Sequence, residues 1–145
     1  MSESIFAPGV TAEGIQAYTR GGFSETMGVD FVEVGPDFLR GELIVDKRHL
    51  RSGEIMNGGV SLALMEIVGS VACNCVIRGQ NKNNLGIQLN ANHLAIAKPG
   101  DRLSIVAKPV HLGKTTHLWE IDITNDKGKT VSTGRLTLLI VETKS

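Results

Sequence analysis

Residues 55–77 form the longest apolar segment of the chain, with the sequence IMNGGVSLALMEIVGSVACNCVI. Its only formal charge is Glu66, near the middle. The segment is long enough for about six helical turns, and its apolar positions lie nearly all round those turns. The pattern therefore predicts a buried helix that needs cover on every side, in contrast to a surface helix with one apolar stripe.

Shorter periodic segments flank this helix. Residues 11–20 predict a short helix with Thr11 as its N-cap and with Gly21 and Gly22 ending it, and residues 23–27 add a further turn. β-Branched residues in partial alternation predict six strands. The strands span 29–34 and 39–45 before the long helix, and 85–94, 102–110, 116–124 and 130–141 after it. The connections are a polar loop at 78–84 and turns at 35–37, 99–101, 111–114 and 125–128.

The order of these elements predicts an α+β fold in a single domain, residues 1–145, with residues 1–22 as an N-terminal helical extension. Short sequential strands joined by tight turns form antiparallel sheets, and an apolar helix needs a sheet that curves around it. We therefore expect a curved antiparallel sheet wrapped around a long central helix. A second copy of the chain is expected to cover what the sheet leaves exposed.

Charge and composition argue against several classes of protein. The 15 basic and 15 acidic residues cancel, and the basic residues are scattered, so no patch favours nucleic acid or an anionic membrane surface. Asn57, Glu66 and Asn74 interrupt the long apolar segment, which favours a core helix over a membrane span. The N-terminal sequence MSESIFAPGV lacks the features of a secretory signal, so we expect a cytoplasmic protein.

The only cysteines are Cys73 and Cys75. Two positions apart on a helix, they point in different directions and do not readily bridge each other. No further metal-type ligands lie near them in the sequence, so we expect small apolar fillers in a reducing compartment. The sequence therefore predicts neither a metal site nor an organic cofactor.

Glu66 is the first candidate for chemistry, because a carboxylate is costly to bury unless it is neutralised, paired or used. Two interpretations stay open: a structural Glu66 paired with Arg51 or another cation, and a catalytic carboxylate. Ser70 lies one turn later on the same helix face. Its hydroxyl either positions water or the carboxylate, or bonds back to the helix backbone.

Gly58 is the second candidate. At a helix start its N–H has no intrahelical acceptor and lies at the positive end of the helix dipole, so it suits an oxyanion. The alternative is that Gly58 and Gly59 only permit tight packing. Eight residues separate Gly58 from Glu66, which is about 12 Å along one helix, so one reacting carbon cannot touch both in the same chain.

Short motifs occur in a characteristic order along residues 23–141. They are Asn57-Gly58-Gly59 followed by LMEIVGS at 64–70, NANHL at 90–94, KPVHLGK at 108–114 and GRLT at 134–137. In this order the chain resembles the hotdog-fold acyl-CoA thioesterases of the phenylacetic-acid and 4-hydroxybenzoyl-CoA types. It departs from them at two positions: Asn57 replaces a His before the glycine pair, and Arg51 replaces a frequent Gln.

The resemblance implies an acyl-CoA thioesterase that forms a homodimer or a homotetramer. Two sites would lie at a twofold interface, each with Gly58 of one chain and Glu66 of the other, and Glu66 would act as nucleophile or as general base. Asn57 would cap the helix or hydrogen-bond the thioester oxygen. The residues implied for binding the CoA ester are Arg51, Gly59, His93, Gly113, Lys114 and Thr115, with Arg78 and Lys82 as further candidates.

Two other functions compete with this interpretation. One is a non-catalytic protein that binds or senses acyl-CoA, which the changes at Asn57 and Arg51 would suit. The other is a CoA-ester hydratase or dehydratase, although the Asp/His pair usual for such enzymes is not evident in the sequence. The remaining histidines, His49, His111 and His117, are interpreted as surface or strand residues without a role.

Overall fold

One long helix packs against an antiparallel sheet. The structure is a computed structural model that describes residues 3–143. The helices are α1 (Ala12–Tyr18), α2 (Phe23–Met27) and α3 (Gly58–Ile77), with a 3-10 turn at Lys47–His49. The strands are β1 (Asp30–Val34), β2 (Leu39–Ile44), β3 (Leu50–Arg51), β4 (Ile55–Met56), β5 (Lys82–His93), β6 (Arg102–Leu112), β7 (Thr116–Asn125) and β8 (Thr130–Glu142).

The main sheet has six strands in the order β1-β2-β6-β7-β8-β5, and every neighbouring pair is antiparallel. β3 and β4 form a separate small pair. α3 contacts five of the six strands, namely β2, β5, β6, β7 and β8. The predicted α+β architecture, a long helix against an antiparallel sheet, is confirmed.

The core lies between α3 and the inward face of the sheet. Residues alternate in and out along the strands, so every second side chain is buried in most of β7, in β6 as far as Ala107 and in β8 from Ser132 to Ile140. Each fully buried large aliphatic side chain stabilises the fold by about 1.5–3 kcal/mol. The largest fully buried side chains include Trp119, Leu64, Leu103, Ile105, Ile121, Leu136 and Leu138.

Two glycines allow α3 to lie close to the sheet. A Cβ on Gly69 would lie 2.8 Å from the Leu136 side chain and 3.3 Å from that of Ile121. A Cβ on Gly134, in β8, would lie 2.7 Å from Sδ of Met65 and even closer to a backbone oxygen of β5. Both contacts are shorter than real Cβ atoms tolerate, so glycine at these positions sets the distance between helix and sheet.

α3 is long and apolar enough to cross a membrane by length and composition. Here, however, it is the core helix of the fold, and half of its most apolar stretch is buried within the chain. Its exposed residues are concentrated on one side, at Gly59, Glu66 and their partly exposed neighbours.

The N-terminal segment packs against the sheet as part of the core. Thr11 caps α1 as predicted, because its Oγ1 accepts a hydrogen bond from Gly14 N–H at 3.0 Å. Gln16 Oε1 accepts the Phe31 N–H at 2.8 Å, which ties α1 to the outer strand β1. Phe6 stacks on Trp119 with a centroid distance of 6.5 Å.

Strand pairing changes three of the predicted boundaries. The long helix begins at Gly58, because the two residues before Asn57 form β4 and pair with β3. β5 begins at Lys82 within the predicted loop, since Lys82 pairs with Glu142 of β8. β6 extends to Leu112, because the register shift between Pro109 and His111 lets the strand continue past the proline.

Two histidines interpreted as having no role are structural. His49 lies in the 3-10 turn and is 1% exposed, so it is not a surface residue. Its Nδ1 accepts the Asp46 N–H at 3.0 Å, which makes Nε2 the protonated nitrogen that donates to Met27 O at 2.8 Å. His117 lies in β7 as expected and is also buried.

Cys73 and His117 form a buried hydrogen-bonded pair. The thiol of Cys73 lies 3.2 Å from His117 Nδ1, and the Trp119 indole N–H approaches the same nitrogen at 3.4 Å. Burial raises the pKa of Cys73 to about 12, so the thiol stays protonated and donates to the imidazole. Both cysteines are free and buried, which confirms the predicted packing role.

We expect His117 to make the fold sensitive to acid. Burial, with smaller effects of His111 and Lys82, lowers the pKa of His117 in the folded chain below the ordinary value of 6.5. As the pH falls below about 6.5, the unfolded chain takes up a proton that the folded chain does not, so the free energy of unfolding should decrease. Urea unfolding between about pH 5 and pH 7.5 should show a shallower pH dependence for His117→Gln than for the wild type. The exposed His93 is the control, because it does not contribute to the shift at His117. A wild-type slope in His117→Gln would contradict the assignment.

Candidate active site

The N-terminus of α3 presents a free backbone donor. Asn57 is the N-cap in an extended conformation, and its Oδ1 accepts the Gly59 N–H at 2.8 Å. The Gly58 N–H is among the first N–H groups of the helix, which have no intrahelical acceptor, and it lies at the positive end of the dipole. The capping role predicted for Asn57 therefore leaves the Gly58 N–H available to a ligand.

His93 lies directly against Gly58. A Cβ added to Gly58 would be 2.9 Å from His93 Nε2, so a side chain there would have to displace the imidazole. His93 Nδ1 is 2.8 Å from Ser132 Oγ, and the Ser132 hydroxyl donates to Ser61 Oγ at 3.0 Å. The structure thus brings together Gly58 and His93, which the sequence analysis treated as parts of different subsites.

A pocket of about 190 Å³ opens beside these groups. Met56, Ile96 and Val131 contribute apolar walls, while Ser61 and His93 contribute polar atoms. A mainly apolar pocket with a few fixed polar groups is the usual form of a small-molecule site. Gly58, which has no side chain, forms part of the pocket wall beside His93.

Glu66 lies two turns further along α3 and is exposed in the single chain, which corrects the expectation of a buried carboxylate. A Cβ on Gly86 would be 2.7 Å from Glu66 Oε2, so the carboxylate lies over the backbone of β5. Within residues 3–143 no ion pair involves Glu66. The Arg51 guanidinium instead donates to Ser52 O at 2.8 Å, so pairing of Glu66 with Arg51 does not occur in the described chain.

Ser70 is tied to the helix backbone. Its hydroxyl donates to Ile67 O at 3.2 Å, one residue nearer than the i−4 acceptor considered from the sequence. The Ser70 carbonyl accepts from Asn84 Nδ2 at 3.3 Å, which links α3 to the start of β5. The Ser70 oxygen keeps a lone pair on the same helix face as Glu66.

Gly113, Lys114 and Thr115 form the turn between β6 and β7. The turn is closed by the Gly113 N–H, which donates to Thr116 O at 2.9 Å, and a Cβ on Gly113 would collide with that oxygen. Lys114 and Thr115 are exposed. The turn is thus a rigid, accessible loop with one cation at its tip.

This turn and His93 lie at opposite ends of the sheet in one chain. His93 pairs with Ser132 of β8, whereas Thr116, at the end of the turn, pairs with Leu139 of β8. Seven residues of strand separate the two positions, which corresponds to about 23 Å. The structure therefore does not unite the residues expected to bind CoA: His93 lies with Gly58, while the turn lies with Lys82 at the far end.

Comparison with known proteins identifies the family. Residues 53–132, more than half of the chain, match the family model of the thioesterase superfamily. The chain belongs to the thioesterase superfamily. It is 34% identical over 132 residues to the 1,4-dihydroxy-2-naphthoyl-CoA hydrolase of Escherichia coli K12, covering 91% of this chain and 96% of that protein. It is 30% identical to the proofreading thioesterase EntH of Cronobacter turicensis, covering 91% and 95%.

The fold agrees with this assignment. A crystal structure of a Haemophilus influenzae thioesterase superposes with a TM-score of 0.92 at 28% identity, and the match covers 97% of each chain. The antiparallel sheet around α3 is thus the hotdog fold of these enzymes, as the sequence motifs predicted. The chain is a hydrolase of thioesters.

Sequence reasoning missed three residues around the site, namely Ser61, Gly86 and Ser132. Ser132 carried a signal, because it occupies an inward position of β8 whose following inward positions are glycine or aliphatic. A buried hydroxyl requires a hydrogen-bond partner, so an inward serine in an apolar strand indicates a polar neighbour across the core. Gly86 carried no such signal, since only the packing of β5 against α3 places it below Glu66.

We expect Gly86→Ala to affect turnover more than stability. The added methyl group would lie 2.7 Å from Glu66 Oε2 and must displace the carboxylate, which is exposed and free to move. If Glu66 takes part in the reaction, kcat should fall by up to about 10²-fold, because small displacements of reacting groups have effects of that size. Steady-state kinetics with thermal unfolding of the same variant checks this. An unchanged kcat would show that the position of Glu66 over β5 is irrelevant to turnover.

Proposed function

We propose that the protein hydrolyses an acyl-CoA thioester to the free acid and CoA at two equivalent sites of a homodimer. Each site combines Gly58 and His93 of one chain with Glu66 of the other. The observation that carries this proposal is that one chain keeps the candidate groups apart. Gly58 and His93 lie together, whereas Glu66 and the turn at Gly113–Thr115 lie away from them. The names of the relatives, one of them a CoA-ester hydrolase, support the substrate class.

The exposed edge of the sheet supports a dimer. β5 is an edge strand, and Leu85 and Ile87 on it are 52% and 60% exposed. Long edge strands with apolar side chains are avoided in proteins that stay monomeric. The exposed side of α3, which carries Gly59 and Glu66, is likewise without cover in the single chain. A second copy that pairs along β5 would cover both surfaces.

A twofold axis would also assemble the site. In an antiparallel arrangement of two β5 strands, the His93 end of one strand lies beside the Lys82 end of the other. Gly58 and His93 of one chain would then face Glu66 and the turn at Gly113–Thr115 of the second copy. This arrangement would bring Gly58 close to a Glu66, although the two are about 12 Å apart along α3 in one chain. It would also bring His93 close to a Gly113–Thr115 turn, which lies still further away along the sheet of the same chain.

The chemistry follows from these positions. The Gly58 N–H would donate to the thioester carbonyl oxygen and stabilise the negative charge that develops on it. Glu66 would either remove a proton from the attacking water or attack the carbonyl carbon and form an anhydride that water then hydrolyses. In both routes the carbon–sulfur bond breaks, the electron pair leaves on sulfur, and the thiolate takes up a proton to give CoA. Ser70 would orient the carboxylate or the water.

The CoA nucleotide would bind at the turn contributed by the second copy. Lys114 supplies a cation for phosphate, and Gly113 and Thr115 supply the turn that carries it. Arg78 and Lys82 lie at the same end of the sheet and extend the positive charge. Arg51 and Gly59 border the helix start and would contact the ester, while Asn57 caps the helix. We assign the enzyme to the cytoplasm, as a homodimer or as a homotetramer built from two such dimers.

Glu66→Gln should lower kcat by about 10²-fold or more, because the amide keeps the size of the side chain and loses the base or nucleophile. Thiol release from a panel of acyl-CoA esters measures the effect and identifies the preferred acyl group. The matched control is Glu120→Gln, which removes an exposed carboxylate on the outer face of β7. Turnover of Glu66→Gln close to that of the control would overturn the catalytic role.

Subunit complementation tests the shared site. Gly58→Trp should be inactive, because its indole would displace His93 and fill the space beside the Gly58 N–H, and Glu66→Gln should be inactive for the chemical reason above. If the two are unfolded, mixed in equal amounts and refolded, mixed dimers carry one site with both defects and one with neither. Random pairing should restore about a quarter of the wild-type activity. A mixture that stays inactive although mixed dimers form would assign each site to a single chain.

A further inference from the structure

Two buried serines support His93 from inside the core. Ser61 in the first turn of α3 is 1% exposed, and Ser132 on β8 is 0% exposed. Buried hydroxyl groups without partners are costly, and these two form a continuous chain with the imidazole. The chain leads from the helix start through β8 to the end of β5, where His93 itself is exposed.

The hydrogen-bond partners of Ser132 decide which nitrogen of His93 carries the proton. A serine hydroxyl has one proton to donate and lone pairs to accept. With Ser132 assigned as the donor to Ser61 Oγ, its oxygen is left to accept at 2.8 Å from His93, and this assignment places the proton of the neutral ring on Nδ1. Nε2 then holds a lone pair, and this atom is the one that lies against Gly58.

The lone pair on His93 Nε2 determines which group of a substrate can bind beside Gly58. The Gly58 N–H is the donor suited to a carbonyl oxygen, whereas an unprotonated Nε2 repels that oxygen and attracts an N–H group. In a CoA thioester the nearest such group is the pantetheine amide, which is only an ethylene unit away from the sulfur. The two groups at the helix start thus match two successive groups of the substrate.

We propose that Ser132 is a positioning residue that holds His93 in the Nδ1–H tautomer, so that Nε2 accepts the pantetheine amide N–H next to the thioester. The inference rests on the proposed thioesterase function and deepens it. It makes the amide of the carrier arm, in addition to the acyl group, a determinant of specificity.

The tautomer can be measured without turnover. The ¹⁵N shifts of the His93 ring, assigned by comparison with His93→Gln, should show the Nδ1–H form in the wild type. In Ser132→Ala the Nε2–H form, which free imidazoles prefer, should predominate. Ser104→Ala is the matched control, because Ser104 is a strand serine on the outer side of β6. A wild-type ring protonated on Nε2, or a ring unchanged in Ser132→Ala, would overturn the inference.

Specificity is measured with two small thioesters of the same acyl group. One is the N-acetylcysteamine thioester, and the other is its analogue with an ester oxygen in place of the amide N–H. The wild type and Ser104→Ala should prefer the amide in kcat/KM by about tenfold, the factor that one ordinary hydrogen bond accounts for. In Ser132→Ala the ratio should approach one. A wild-type ratio near one, or a ratio that survives in Ser132→Ala, would refute the role of Nε2.

The two measurements separate this inference from the proposed function. Absence of hydrolysis of every thioester, including the CoA esters, would overturn the proposed function, while the Nδ1–H tautomer and its loss in Ser132→Ala would still support the role of Ser132. Conversely, active enzyme with the wrong tautomer would refute the inference and leave thioester hydrolysis in place. Restoration of the amide preference by Ser132→Thr, which returns the hydroxyl, would distinguish loss of the hydrogen bond from loss of packing.

Discussion

The packing of the apolar helix α3 against the sheet determines the rest of this structure. The helix has apolar side chains nearly all round, and five strands cover its inward side. Gly69 and Gly134 bring helix and sheet so close that neither position has space for a methyl group. Since one sheet cannot enclose the helix, a side remains exposed next to the open edge of β5, and burial of that side would drive the dimerisation proposed above.

The same packing decides where the functional groups lie. Because α3 runs along the sheet, its N-terminus meets the His93 end of β5 and its middle meets Gly86. Each of these contacts has a glycine. The absence of a side chain at Gly58 leaves the helix start open to a ligand, and its absence at Gly86 lets the Glu66 carboxylate lie against β5. Fold and site thus depend on the same short helix-to-sheet distance. In the proposed arrangement activity also depends on assembly, because no single chain can shorten the distance between Gly58 and Glu66.

The sequence predicted those features that follow from local periodicity and from ordered motifs. The alternation of β6 to β8, the Thr11 cap, the apolar character of α3 and the family were all accessible in this way. The start of α3 was not, because β4 is helix-compatible in sequence and becomes a strand only through pairing with β3 and through the bond from Met56 N–H to Ala97 O. The exposure of Glu66 was missed for a related reason, since the side of α3 left uncovered depends on which strands reach around it.

The position of Asn57 shows how the site keeps its geometry with an altered residue. In the thioesterases that this chain resembles, a histidine precedes the glycine pair, whereas here an amide caps the helix through the Gly59 N–H. Capping leaves the Gly58 N–H pointing out of the helix, so the group that would polarise the carbonyl does not depend on an imidazole at position 57. The imidazole that lies against Gly58 comes from β5 and is held from behind by the core hydroxyl of Ser132. Because that support comes from buried strand and helix residues, the position of the His93 ring beside Gly58 does not depend on the residue that caps the helix.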